Sequence, residues 1–305
     1  MATQHAYTDW ISCYLELEGR PLSINKVLVV GLGMMGHGIA QTCAQAGLTT
    51  YVYDSSEGAR QRGVDRISEQ IVGRIKKGKL TEEEGQAILA RVIPVSSFAE
   101  AKEADLVVEA VFENLELKQE VFRALDQVMS AETIFASNTS ALPISPMGAV
   151  TQRPERVIGV HFHSPVVVMR LVEVIRGLRT SDETFAAVQE FLQKVQKAPV
   201  EVKKDSPGFI TNRVYMPMFN EAVWTVYEGV ATAEDVDQAM RDGFNFPMGP
   251  LQLGDFVGLD TMLHILEDLN EKCGGNKFIP CPLHRSLVAS GYLGRKSGRG
   301  FYAYE

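Results

Sequence analysis

The 305-residue chain contains no apolar run approaching the roughly 18–20 residues needed to cross a bilayer, so no membrane-spanning helix is expected. Cysteine is scarce. Cys13, Cys43, Cys273 and Cys281 show neither C-x-x-C spacing nor histidines at ligand spacing, so no metal site is expected. Scattered thiols of this kind fit a reduced, cytoplasmic protein. Positive charge is also short: 30 Lys and Arg against 38 Asp and Glu leave a formal charge of −8. That balance argues against nucleic acid as a partner, although a few local cations could still hold a phosphorylated ligand. Residues 1–24 carry Asp9, Glu16 and Glu18 with only Arg20, which is too acidic for a transit or signal peptide. They read as an N-terminal extension in which Trp10, Ile11, Tyr14, Leu15 and Leu17 have the spacing of a short surface helix.

What the chain does have begins at Lys26-Val27-Leu28-Val29-Val30, a strand pattern that runs into Gly31-Leu32-Gly33-Met34-Met35-Gly36. In a G-x-G-x-x-G turn the first glycine reverses the chain. The second lets backbone approach a pyrophosphate, and the third lets helix pack on strand. The helix that follows offers unsatisfied N–H groups and its positive dipole end to phosphate. Such a triplet alone is weak evidence, but a second strand, Thr49 to Tyr53, ends in Asp54. A carboxylate there accepts hydrogen bonds from the adenine-ribose hydroxyls and repels a 2′-phosphate. The expected cofactor is therefore NAD rather than NADP.

Further along, two helices over 55–91 join near Thr81-Glu82-Glu83-Glu84, a capping box. Arg74, Lys76, Lys77 and Lys79 cluster at the end of the first, either as a solvated face or as a dock for the phosphates of a carrier such as coenzyme A. Short apolar runs at 92–95, 105–110, 133–136, 157–162, 171–175 and 199–202 read as strands of a mostly parallel sheet, with helices at 115–129 and 182–196. Glu113 and Ser137 to Ser140 close two of these strands and point at the cleft beyond the carboxyl ends. After Lys204-Asp205-Ser206-Pro207-Gly208 the pattern becomes helical: 209–229, 232–242, 255–272 and 282–290. The expected architecture is an α/β domain with a doubly wound Rossmann-type sheet over 25–204, followed by an all-α domain over 205–305.

A nicotinamide enzyme acting on an alcohol needs a base, and histidine titrates near neutrality. A reversal at Pro165 would set His161 beside Glu173, a carboxylate able to orient the ring. His163 falls on the same face of a regular strand, so the pattern does not choose between the two histidines. Two other dehydrogenase chemistries fit poorly. Tyr292 and Lys296 match Tyr-x-x-x-Lys but lie in a glycine-broken segment, and Ser206 to Ala222 lacks the lysine used by 3-hydroxyisobutyrate and 6-phosphogluconate dehydrogenases.

Residues 25–305 resemble the L-3-hydroxyacyl-CoA dehydrogenase family, particularly its bacterial 3-hydroxybutyryl-CoA members. The likeness rests on Gly31 to Gly36, Val108 to Asn114, Ala136 to Ser140, His161-Phe162, Leu171 to Ile175, Asp205 to Arg213, Pro247 to Pro250 and Gly298 to Tyr302. The resemblance implies reversible, NAD-dependent oxidation of a short-chain L-3-hydroxyacyl-CoA. It implies His161 as general base, Glu173 as its partner, Ser140 on the substrate 3-oxygen and Asn212 as a further substrate-positioning residue. It also implies cofactor contacts at Gly31, Leu32, Gly33, Met34, Met35, Gly36, Asp54, Glu113, Lys118, Ser140, Ser164 and Lys296, a coenzyme A contact at Lys77, and a homodimer formed through the helical domain. The same chemistry on a free or carrier-protein-bound 3-hydroxy acid is the nearest alternative, and a non-catalytic crystallin-like role is the most distant. One departure stands out. The family's usual His-Phe-Phe-Asn-Pro is here His161-Phe162-His163-Ser164-Pro165, which shortens the residue on the nicotinamide side and adds a second titrating ring.

Overall fold

The computed structural model describes residues 23–304, so the helix expected near Trp10 and the thiol of Cys13 lie outside the described residues. Contacts divide the chain into two compact units, the second starting at Ser206.

In the first unit, β1 (Lys26–Val30), β2 (Thr49–Tyr53), β3 (Val92–Pro94), β4 (Leu106–Glu109), β5 (Ile134–Ser137), β6 (Val157–Phe162), β7 (Leu171–Arg176) and β8 (Ala198–Val202) form one sheet. Its order is β3-β2-β1-β4-β5-β6-β7-β8. β6 and β7 pair antiparallel; the other neighbours run parallel. β1, β4 and β5 are apolar almost throughout because both faces of the sheet are covered. The covering helices are α1 (Met34–Gln45), α2 (Glu57–Lys76), α3 (Glu82–Leu89), α4 (Leu115–Asp126), the single turn α5 (Ser145–Gly148) and α6 (Asp182–Lys194). The expected capping box at Thr81 and Glu84 is present on α3. Strand order reverses between β1 and β4, and ligands of such sheets bind beyond the carboxyl ends at that point.

The second unit holds α7 (Thr211–Tyr227), α8 (Ala233–Phe244), α9 (Pro250–Val257), α10 (Leu259–Cys273) and α11 (Pro282–Ala289) around Phe219, Leu251, Leu266 and Phe278. One expectation fails here. The helix read over 255–272 is two helices, because Gly258 takes φ +110° and ends α9. Pro250 begins α9 at its first helical position, where its missing N–H costs nothing. Buried Asp237 accepts the Leu251 and Gln252 N–H groups at 2.8 Å, so a carboxylate from α8 caps the start of α9. No spacing in sequence announces that contact.

His284 on α11 is fully buried with Nε2–H donating to the Leu259 carbonyl at 2.8 Å, and burial holds its pKa below the ordinary histidine value. Between the depressed folded value and the unfolded value of about 6.5, the unfolded chain binds more protons, so stability falls as pH drops below about 6.5. His284→Gln is expected to flatten the pH dependence by up to about 1.4 kcal/mol per pH unit in that window. Urea midpoints at pH 7 and pH 5 measure this; parallel slopes in the two proteins would assign the acid loss to other groups.

Candidate active site

The glycine turn follows β1. Gly31 has φ +90°, and a side chain there would meet the Ala110 carbonyl at 2.7 Å. A Cβ on Gly36 would lie 1.7 Å from the Gly31 carbonyl, so helix and strand close only with glycine at this position. Gly33 differs: nothing lies within 4 Å of where its Cβ would be, so the turn opens onto free space. α1 starts at this point with no side-chain cap on Gly33 and no acidic residue in its first turn. Uncapped N–H groups, the dipole end and a bare glycine surface make a cradle suited to a pyrophosphate. Leu32 is buried, Met34 is exposed, and Met35 packs partly against the core. Asp54 closes β2 with one carboxylate oxygen accepting the Leu32 N–H at 2.9 Å and the other accepting the Ser56 N–H at 3.0 Å. It thus braces the turn while each oxygen keeps a lone pair for a ribose hydroxyl. These residues fit NAD.

Beyond β4 and β5 lies a polar network that sequence reading only partly anticipates. Lys118, on α4, and Glu109, at the end of β4, are both fully buried, with Nζ at 2.8 and 3.0 Å from the two carboxylate oxygens. Glu109 also accepts the Val111 N–H at 2.7 Å and the Ser137 hydroxyl at 2.6 Å. The partner of Lys118 on the cleft side is Glu113, at 3.3 Å. One Glu113 oxygen gathers the Thr139 hydroxyl at 2.6 Å, the Ser140 N–H at 2.8 Å and the Ser140 hydroxyl at 3.1 Å. Burial is the largest influence on Glu113 and pushes its pKa up, yet Lys118 and the Thr139 and Ser140 hydrogen bonds together hold it below the usual carboxylate value. Lys118, which the resemblance implies as a cofactor contact, therefore lies beneath the cleft wall and reaches it through Glu113. Glu109 was not singled out. The signal was a carboxylate inside an otherwise apolar strand, a position that is costly without a cation.

β6 and β7 bring the histidines to their carboxylate. The register sets His161 directly opposite Glu173, and the reversal is closed by the Val168 and Met169 N–H groups donating to the Pro165 carbonyl at 2.9 Å. His161 Nδ1 is 2.8 Å from Glu173 Oε2. His163, just past the strand end, sets Nε2 3.9 Å from the same oxygen. Burial, then the neighbouring His161, hold the His163 pKa below the ordinary histidine value. The side chain of Asn138, after β5, accepts the Phe162 N–H at 3.0 Å and ties the two strand ends together. Ser164 is exposed at the carboxyl end of β6.

Other expected site residues lie on other elements. Lys77 caps the exposed end of α2. Asn212 lies in the first turn of α7 and Lys296 near the end of the chain, both in the second unit. Lys296 pairs with Asp260 at 2.6 Å.

Both units match known families along their length. Residues 26–206 match the NAD binding domain of 3-hydroxyacyl-CoA dehydrogenase, and residues 208–304 match its C-terminal domain. A Bacillus subtilis protein named as a probable 3-hydroxybutyryl-CoA dehydrogenase is 50% identical over 284 residues, covering 93% of this chain and 99% of that one. Rat mitochondrial hydroxyacyl-coenzyme A dehydrogenase is 42% identical over 294 residues, covering 94% and 93%. Among solved structures, (S)-3-hydroxybutyryl-CoA dehydrogenase from Ralstonia eutropha superposes with a TM-score of 0.88 at 46% identity, over 93% of this chain and all of that one. A bare glycine turn braced by an aspartate, and a match that runs through both units in order, lead to one conclusion: the chain belongs to the 3-hydroxyacyl-CoA dehydrogenase family.

Proposed function

We propose that this protein oxidises the C3 hydroxyl of a short-chain L-3-hydroxyacyl-CoA to the 3-ketoacyl-CoA, reversibly, with NAD as cofactor. The observation that carries the reading is the His161–Glu173 pair, set by strand register at the carboxyl end of the sheet that bears the glycine turn. NAD, when bound, supplies the hydride acceptor for C3. His161 takes the hydroxyl proton at Nε2, because Nδ1 is turned to Glu173. The buried carboxylate holds the tautomer and steadies the imidazolium as it forms.

Ser140 and Asn212 act on the substrate in this reading, Ser140 at the 3-oxygen. Glu113 orients the Ser140 hydroxyl, since its carboxylate already accepts that group and the adjacent N–H. Gly31 to Gly36 hold the pyrophosphate and Asp54 the adenine ribose. Glu113, with Lys118 buried behind it, Ser164 and Lys296 complete the cofactor side, and Lys77 meets a phosphate of coenzyme A. A carrier gripped far from C3 places the reacting carbon without further ordering, which is why a coenzyme A ester suits the site better than a free acid. A homodimer through the helical unit and a cytoplasmic location belong to the same reading.

The test is NADH oxidation with acetoacetyl-CoA beside free acetoacetate and an acetoacetyl-carrier protein. Turnover on the CoA ester alone is expected. Turnover only on the other substrates would keep the hydride chemistry and change the substrate, and no turnover with intact NADH binding would sink the reading.

Asp54→Ala is expected to raise the NADH KM and narrow the preference over NADPH, because the variant loses both the ribose acceptor and the brace on the Leu32 N–H. Ratios of kcat/KM for the two cofactors measure it; an unchanged ratio would remove Asp54 from the ribose.

A further inference from the structure

The β6–β7 register assembles more than a base and its partner. His161, His163 and Glu173 each offer one ligand atom, and all three atoms lie within 4.8 Å of one another. Glu173 Oε2 is 2.8 Å from His161 Nδ1 and 3.9 Å from His163 Nε2, and the two rings stand 4.5 Å apart. Zinc binds imidazole nitrogen and carboxylate oxygen at about 2.0–2.2 Å, so tetrahedral ligands lie about 3.3 Å from one another. The observed 2.8 and 3.9 Å bracket that separation. The carboxylate is 1% exposed, while the His161 and His163 side chains are 12% and 22% exposed. An ion can therefore approach from the ring side and meet an anchored oxygen below. Two imidazoles and one carboxylate are a borderline-soft donor set that favours zinc and its neighbours over magnesium or calcium. None of the described cysteines belongs to this group. His163 has no task in the proton transfer described above.

We propose that His161, His163 and Glu173 form a three-donor site for a divalent transition ion of the zinc class, and that occupancy silences the dehydrogenase by taking its base. The ion takes His161 Nδ1 and Glu173, and the proton between them moves to Nε2, so the nitrogen that faces the substrate hydroxyl is already protonated and cannot act as the base. The binding half rests on the geometry alone. The inhibition half rests on the proposed function.

The test uses chelator-treated full-length protein. Zn2+ binding is read by titration calorimetry, and NADH oxidation with acetoacetyl-CoA is followed at rising Zn2+, with reversal by EDTA. One ion per chain and reversible loss of turnover are expected. His163→Phe, which places the family's usual residue there, and His163→Gln each remove one donor. Each is expected to need at least about tenfold more Zn2+ both to bind and to lose half of its own activity, since even an outer-shell change costs that much. Equal Zn2+ affinity in all three proteins, or no stoichiometric binding to the wild type, overturns the site. Binding that depends on His163 in a protein that turns over none of the three acetoacetyl substrates upholds the site and removes the dehydrogenase reading instead.

Discussion

His161→Gln is expected to lower kcat for acetoacetyl-CoA reduction by about 10²- to 10⁴-fold, the usual worth of a positioned general acid–base group. Glutamine has similar reach and can still meet Glu173 Oε2 through its amide N–H, so the buried carboxylate keeps a partner and the β6–β7 pairing is preserved. What is lost is a nitrogen able to bind and release a proton near neutral pH. NADH affinity, read by fluorescence, should change little. The glycine turn and Asp54 follow β1 and β2, whereas His161 sits on β6, three strands from β1 in the sheet. A kcat within tenfold of the wild type would place the base elsewhere, with His163 the first to test.

Lys118→Met is expected to destabilise the first unit by about 3–5 kcal/mol, the cost of leaving one partner of a buried ion pair alone. Glu109 would keep the Val111 N–H and the Ser137 hydroxyl but lose its full countercharge, in a position with no solvent to replace it. The variant also frees Glu113 from its cation, and its pKa should rise. Adding Glu109→Gln to Lys118→Met removes the stranded charge and should recover much of the loss. Urea unfolding of the two single variants and the double variant closes the cycle. If the double variant is as unstable as the sum of the singles, the pair contributes packing rather than charge compensation.

Which features the sequence made legible follows from how local their physics is. Local steric and hydrogen-bonding rules set the glycine turn, the aspartate after β2, the capping box at Thr81 and the apolar runs of the parallel sheet. Each therefore left a short, readable signature. The merged helix at 255–272 was misread because hydrophobic period continues across Gly258, and only the backbone angle there shows the break. Lys118 was readable as a helix residue but not as a buried one. Its charge is tolerated only because Glu109 arrives from another element.

The sequence by itself determined the α/β unit, the helical unit after it and the NAD cradle, since these rest on residue spacing within single segments, while motifs spread along residues 25–305 together carried the resemblance to the family. Tertiary structure alone decided how the histidines meet their carboxylate. His161 and His163 are equivalent by alternation, the family resemblance favours His161, and the pairing of β6 with β7 sets Glu173 opposite His161 and 3.9 Å from His163. A slip of one residue in that pairing would turn the wrong side chains to Glu173. The same long-range register gathers three ligand atoms that no sequence motif joins.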